Sequence, residues 1–263
     1  MSLTPKIFRE YDIRGIVGED LTQESVELLG KGIGTYIRQH GKKQVALGQD
    51  CRLSSPEFAE ALTKGLLSTG CSVLALGAIP TPLLYFCVFT KDQEAGIMIT
   101  GSHNPPEYNG FKMMLGHEAL FGQDIQDIRK ILELGDFVSE PGGESQEYDI
   151  GPEYHRYVTE DVRLERPLKV VVDAGNGTGG VVAVPIFRDL GCEVIPLYCE
   201  MDGRFPNHHP DPTLPEALED LIRTVKETGA DLGIAYDGDS DRIGVIDDVG
   251  EIIWGDKLLI LLA

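Results

Sequence analysis

Ile97-Met98-Ile99-Thr100 empties into Gly101-Ser102-His103-Asn104, and Leu232-Gly233-Ile234-Ala235-Tyr236 empties into Asp237-Gly238-Asp239-Ser240-Asp241. Each stretch sets a short apolar strand against a polar loop that contains glycine. Working outward, each lies downstream of a helix-like stretch that runs into Gly-Cys-x-Val: Gly70-Cys71-Ser72-Val73 in the first half, Gly191-Cys192-Glu193-Val194 in the second. The shared order reads as two divergent copies of one unit, although doubly wound domains in general share this rhythm. In open α/β sheets, ligands sit off the carboxyl ends of strands. The two loops are therefore the places to look for chemistry, and equivalent strand ends on two similar domains are expected to face one cleft.

The rest of the chain fits α/β patterning. Residues 45–48, 72–76, 96–100 and 111–115 read as strands, while 25–39, 55–68 and 123–134 have helical spacing of apolar residues. Ser54 or Ser55 suits an N-cap, with Pro56 in the first helical turn. Residues 135–150, with Pro141-Gly142-Gly143, read as a linker or exposed loop. The pattern then restarts with strands at 169–173, 193–198, 231–236 and 242–247 and helices at 179–190 and 214–227. Leu258-Leu259-Ile260-Leu261-Leu262-Ala263 follows a helix-like start at Gly255-Asp256-Lys257. Domains seldom stop inside an apolar run, so the expectation is a piece of a longer protein or a segment that packs on a partner.

Composition narrows the function classes. The chain has 263 residues, 42% apolar and 25% charged, the profile of a globular protein with a real core. Lys plus Arg is 23 against 43 Asp plus Glu, a formal net charge of −20. That balance disfavours broad contact with nucleic acid or anionic membrane, since both need clustered cations. Any phosphate site must be made positive locally, by a few Arg and Lys or by a metal ion. The five cysteines, Cys51, Cys71, Cys87, Cys192 and Cys199, are odd in number and lack C-x-x-C, which fits buried thiols in a reducing compartment. The start of the chain has no apolar signal core, and no apolar run approaches bilayer length. A cytoplasmic enzyme is expected.

Two loops carry chemistry. In Thr100-Gly101-Ser102-His103-Asn104-Pro105-Pro106, Gly101 would let the backbone turn so that the Ser102 hydroxyl projects, and the prolines stiffen the exit. Ser102 can be a nucleophile or phosphate carrier, or the stretch can be an ordinary turn. In Asp237-Gly238-Asp239-Ser240-Asp241-Arg242, three alternating carboxylates suit a hard cation such as Mg²⁺, and Arg242 adds a fixed cation for phosphate. A solvated acidic turn is the plainer reading. An EF-hand is rejected, because the sixth position is Arg242, the twelfth is Asp248 and strands flank the loop. Asp173-Ala174-Gly175-Asn176-Gly177-Thr178-Gly179-Gly180 can cradle a phosphate, but a tight strand-to-helix turn that lets domain backbones approach suits it better. Phe205-Pro206-Asn207-His208-His209-Pro210-Asp211-Pro212 reads as a stiff loop at a domain interface, since neighbouring histidines seldom aim at one metal.

These residues resemble the α-D-phosphohexomutases. Thr100 to Pro105 resembles their active-serine loop, and Asp237 to Arg242 their metal loop, with Ser240 in place of the usual central glycine, a change expected to have little effect. Phe8-Arg9-Glu10-Tyr11-Asp12-Ile13-Arg14-Gly15 resembles the family's N-terminal segment. Asn109-Gly110-Phe111-Lys112 and the Phe205 to Pro212 loop are similar to its bacterial phosphomannomutase/phosphoglucomutase branch. The resemblance implies two tandem similar mixed α/β domains: domain I over 1–148, domain II over 149–254, and 255–263 leading into a third domain. Domains III and IV of the family, with the sugar-recognition and phosphate-binding loops, would be missing.

The resemblance also implies a reaction. Phosphorylated Ser102 would pass its phosphoryl group to a hexose monophosphate, and the hexose 1,6-bisphosphate would return its other phosphate, interconverting hexose 1-phosphate and hexose 6-phosphate. Asp237, Asp239, Asp241 and a phosphate oxygen on Ser102 would hold Mg²⁺. Arg14 and Arg242 would stabilise the moving phosphate, Lys112 would act as general acid/base or as a plain electrostatic contact, and His103 and Tyr11 would line the site. Hexose 1,6-bisphosphate would serve as activator, and little turnover is expected from this chain alone. Two rivals remain: a Mg²⁺-dependent phosphatase with Asp237 as nucleophile, and a non-catalytic binding module whose apolar C-terminal run docks a partner.

Overall fold

The apolar runs become the inner strands of two sheets. A computed structural model describes residues 3–263, so the first two positions of the expected domain I lie outside the described residues. The chain divides into two units, Met1–Ile150 and Gly151–Ala263.

The first unit runs β1 (Ile13–Ile16), α1 (Gln23–Gln39), β2 (Gln44–Gln49), α2 (Ser55–Ser68), β3 (Ser72–Ala78), α3 (Thr81–Thr90), β4 (Ala95–Ile99), β5 (Tyr108–Leu115), β6 (Glu118–Ala119), α4 (Gln123–Leu134) and β7 (Ser145–Glu147). Its sheet has the order β1-β5-β4-β2-β3-β7, with β6 paired to β5. Strand β2 is parallel to β3 and β4, and β5 is antiparallel to β4 and β1. The inner strand β4 is buried along its whole length, as an apolar run covered on both faces requires. Leu29, Ile33, Leu47, Phe58, Leu62, Ile97, Phe111 and Ile128 share one core. Thr22 and Ser25 start α1 with a reciprocal cap: the Ser25 N–H donates to Thr22 Oγ1 at 3.3 Å and the Thr22 N–H to Ser25 Oγ at 2.8 Å.

Several expectations change here. Ser54 is the N-cap of α2 but makes no capping bond: its backbone is αR, at φ −83° and ψ −15°, where a capping residue is extended, and its hydroxyl accepts from Asn109 Nδ2 at 2.8 Å. Helix α3 escaped the sequence reading because Thr81–Thr90 is apolar all round and shows no period. Residues 135–150 are not a free linker. Strand β7 lies parallel to β3, held by Val73 N–H to Glu144 O and Tyr148 N–H to Ala75 O. Gly143 permits this return, since a Cβ there would sit 2.1 Å from the Cys71 carbonyl oxygen.

The second unit runs α5 (Gly151–Asp161), β8 (Lys169–Asp173), α6 (Gly180–Asp189), β9 (Glu193–Leu197), α7 (Glu219–Thr228), β10 (Leu232–Tyr236), β11 (Ile243–Asp247), β12 (Ile252–Ile253) and α8 (Gly255–Leu262). Its sheet order is β12-β11-β10-β8-β9. Here β8 is parallel to β9 and β10, and β10 is antiparallel to β11. The run β11-β10-β8-β9 thus repeats β5-β4-β2-β3 in both order and direction, so the chain is two tandem similar mixed α/β domains. The expected helix at 214–227 begins as a 3-10 turn, Pro215–Leu218, before α7. Leu259, Ile260, Leu261 and Leu262 on α8 are exposed. Among the described residues no helix is long and apolar enough to cross a membrane, and none of the cysteines is in a disulfide.

Candidate functional site

Strand β4 delivers the serine loop. Ser102 adopts φ 49°, the left-handed region that a β-carbon disfavours. The positive torsion falls on the serine itself and not on Gly101, which corrects the expected role of that glycine. Gly101 is needed for space, because a Cβ there would lie 2.4 Å from Arg52 Cζ. The Ser102 N–H donates to Thr100 Oγ1 at 2.7 Å, and its hydroxyl lies 3.3 Å from His103 Nδ1. Ser102 is buried and does not project. Arg14, on β1, donates from Nη1 to the Gly101 carbonyl at 3.2 Å and to Asn104 Oδ1, and pairs with Asp12 at 2.5 Å. Its buried Nε has no hydrogen-bond partner among the described residues.

Strand β10 delivers the acidic loop. Carboxylate oxygens of Asp237, Asp239 and Asp241 all lie within 4.8 Å of one another. Asp237 and Asp239 are fully buried, while Asp241 is exposed. A hard cation takes oxygen ligands, and three converging carboxylates offer them, so the donor set fits Mg²⁺. The turn closes on itself: Ser240 N–H donates to Asp237 O at 3.1 Å, and Arg242 N–H to Asp237 Oδ1 at 3.2 Å. Ser240 sits at φ 63°, where the resembled family has glycine. The serine here carries a torsional cost that a glycine would not.

The glycine-rich stretch after β8 is the bed of this loop. Thr178 N–H donates to Gly238 O at 3.1 Å, and Thr178 Oγ1 to the same oxygen at 3.3 Å. A Cβ on Gly177 would lie 2.6 Å from Gly238 O, and one on Gly179 2.7 Å from Ser240 Oγ. The close backbone approach is therefore made within this unit. The Phe205 to Pro212 segment is pinned to the same stretch, with Asn207 Nδ2 donating to Asn176 Oδ1 at 2.7 Å and His208 Nε2 meeting Asp173 at 3.1 Å.

Of the candidate residues, Ser102, His103 and Arg14 come together at one loop. Lys112 lies on β5 opposite Met98 of β4. Tyr11 is largely exposed. Arg242 belongs to the second unit, where its backbone brackets Asp237 and its side chain is exposed. Asp50 and Arg52 had no part in the sequence reading, and Thr178 entered it only as one residue of the glycine-rich stretch. The available signal was position: Asp50 directly follows β2 and Asp173 is the last residue of β8, each strand lying beside the one that bears a loop.

A doubled mixed α/β domain with a serine loop on one copy and a three-aspartate loop on the other defines the phosphohexomutase class. Residues 5–139 match phosphoglucomutase/phosphomannomutase, alpha/beta/alpha domain I, and residues 152–250 match alpha/beta/alpha domain II of the same family. The chain belongs to the phosphoglucomutase/phosphomannomutase family. It is 49% identical over 262 residues to a phosphomannomutase/phosphoglucomutase of Pseudomonas aeruginosa, covering 100% of this chain and 56% of the relative. It is 48% identical over 263 residues to a phosphoglucomutase of Neisseria gonorrhoeae, covering 100% of this chain and 57% of the relative. A crystal structure of a phosphoglucomutase/phosphomannomutase family protein from Burkholderia thailandensis superimposes with a TM-score of 0.96 at 41% identity, over 99% of this chain and 58% of that one. The chain thus spans little more than half the length of these relatives.

Proposed function

We propose that this chain supplies the phosphoryl-carrying and metal-holding part of an enzyme that interconverts hexose 1-phosphate and hexose 6-phosphate. Residues 1–148 serve as domain I, 149–254 as domain II, and 255–263 lead toward a third domain. The observation that carries the reading is Ser102 held at φ 49° off the end of β4, in a chain of this family. In the first half-reaction the Oγ–P bond of phosphorylated Ser102 breaks and a new P–O bond forms to the free sugar hydroxyl, giving hexose 1,6-bisphosphate. Lys112 takes the hydroxyl proton and passes it to the departing Ser102 Oγ. In the second half-reaction the other phosphoryl group passes to Ser102 Oγ and the proton returns to the departing sugar oxygen. Arg14 and Arg242 hold phosphate oxygens, while His103 and Tyr11 line the site. Asp237, Asp239 and Asp241 would hold Mg²⁺, which when bound supplies charge neutralisation for phosphoryl transfer. Added hexose 1,6-bisphosphate would charge an unphosphorylated Ser102.

A coupled assay on the 263-residue chain, with hexose 1-phosphate, hexose 1,6-bisphosphate and Mg²⁺, tests the division of labour. Mg²⁺ binding with negligible isomerisation is expected, since sugar recognition is assigned to further domains. Substantial isomerisation by this chain alone would refute that division. Absence of Mg²⁺ binding would remove the assignment of the acidic loop.

A further inference from the structure

Arg52 follows β2 by a short step, and its side chain is fully buried. Its Nη1 donates to the carbonyls of Pro105 (2.6 Å) and Tyr108 (3.0 Å), and its Nη2 to those of Ser102 (2.8 Å) and Asn104 (2.6 Å). Its Nε donates to Asp50 Oδ2 at 3.1 Å. A guanidinium has five N–H donors in a planar fork, and these bonds match that number. Asp50 anchors the arrangement from below. Its carboxylate accepts from Thr100 Oγ1 (2.9 Å), Gly101 N–H (3.1 Å), Ser55 Oγ (2.7 Å) and Arg52 N–H (3.0 Å). Gly101 lies against the guanidinium with no room for a side chain. The loop from Thr100 to Tyr108 is therefore wrapped on one buried cation, with the carbonyls of Ser102, Asn104, Pro105 and Tyr108 turned to it.

We propose that Arg52 is the positioning residue of the serine loop: by fixing the carbonyls of Ser102, Asn104, Pro105 and Tyr108 it sets the backbone that carries the Ser102 hydroxyl, without touching substrate. A strained backbone torsion persists only where its surroundings over-determine it, and Ser102 at φ 49° has this guanidinium on its own carbonyl. Lysine cannot substitute, because an ammonium is a compact donor without the planar fork. The inference rests on Ser102 being the phosphoryl carrier, and the experiment separates the two.

Three variants apply. Arg52→Lys keeps a cation beside Asp50. The pair Arg52→Gln with Asp50→Asn removes both charges, so no lone charge is left buried if the first variant misfolds. Gly101→Ala presses on the guanidinium from the loop side. Amide hydrogen exchange is read for residues 100–110, with α1 and β8 as references, and Ser102 phosphorylation by hexose 1,6-bisphosphate with Mg²⁺ is followed by intact mass. Exchange of 100–110 is expected to rise by at least about tenfold while the references hold. The saturating phosphorylation rate is expected to fall about a hundredfold, with the half-saturating bisphosphate concentration within about twofold of the wild type. Unchanged loop exchange in Arg52→Lys and in the charge-free pair overturns the proposal, as does acceleration spread equally over α1. Absence of phosphate from wild-type Ser102 sinks the phosphoserine reading and the catalytic purpose of the clamp, while the exchange data still decide whether the clamp exists.

Discussion

Asp50 and Asp173 stand at the same place in the two sheets. Asp173 is level with Ala235 of β10, and Gln49 with Ile99 of β4, which brings Asp50 level with Thr100. Two residues beyond Thr100 is Ser102, and two beyond Ala235 is Asp237. Each buried carboxylate accepts a backbone N–H from two residues on, Arg52 at 3.0 Å and Gly175 at 2.9 Å. They differ in the cation they hold. Asp50 holds a guanidinium that reaches into its loop. Asp173 holds His208, with Nε2 at 3.1 Å from both carboxylate oxygens and Nδ1 at 2.9 Å from the His209 carbonyl. Both ring nitrogens face acceptors, and only an imidazolium donates from both. Burial pulls the His208 pKa down, but the hydrogen bond and charge of Asp173 outweigh it and leave the pKa raised. A fixed cation inside the acidic loop would neutralise the carboxylates that a metal needs. That loop is seated instead on uncharged contacts from Gly177, Thr178 and Gly179.

Removing each aspartate gives the largest contrast. Asp50→Ala leaves a buried guanidinium with no counter-charge and is expected to cost about 3–5 kcal/mol. Asp173→Ala leaves a histidine that can shed its proton, and about 1–3 kcal/mol is expected. Urea unfolding measures both, with Trp254, the sole tryptophan, reporting the second domain. Equal losses would break the comparison. Next, Gly177→Ala drives a methyl toward Gly238 O at 2.6 Å. It is expected to destabilise by about 1–3 kcal/mol and to weaken Mg²⁺ binding roughly tenfold or more by calorimetry. Wild-type affinity in this variant would mean that the glycine-rich bed does not shape the loop.

A smaller effect depends on pH. The folded pKa of His208 is raised above its ordinary 6.5. Its pairing therefore contributes fully below that unfolded value and is lost as pH rises through the folded one. Thermal melts of Trp254 emission should show the second domain weakening as the pH rises past the ordinary histidine value of 6.5, a slope that His208→Gln removes. The first domain should lack this slope, since a guanidinium does not titrate there. Smallest of all, Ser240→Gly should stabilise by up to about 1 kcal/mol, because glycine accepts φ 63° freely. The Ser240 hydroxyl returns little, with contacts of 3.4 Å to Thr178 Oγ1 and 3.5 Å to Asp237 O. A loss on this substitution would show that those contacts outweigh the strain.

Much of this was legible in the sequence. Alternating apolar runs and amphipathic stretches marked most strands and helices, and the two Gly-Cys-x-Val steps pointed to the duplication that the matching strand orders bear out. Helix α3 was invisible because the run between Thr81 and Thr90 is apolar on every face and so has no period, and β7 because Ser145–Glu147 is short and polar and gains its place only by pairing with β3. The serine and aspartate loops were readable as residue types. Their supports were not, because a buried arginine such as Arg52 looks like any surface arginine until the carbonyls around it are known. The same holds for Gly101 and Gly177, whose small size matters through neighbours distant in sequence.

The most direct test of the central claim is the site of phosphate. The purified chain and its Ser102→Ala variant are incubated with hexose 1,6-bisphosphate and Mg²⁺, weighed intact and mapped by fragmentation. The account predicts one added phosphate on Ser102 of the wild type and none on the variant. Phosphate on Asp237, or phosphate that persists in Ser102→Ala, would contradict it.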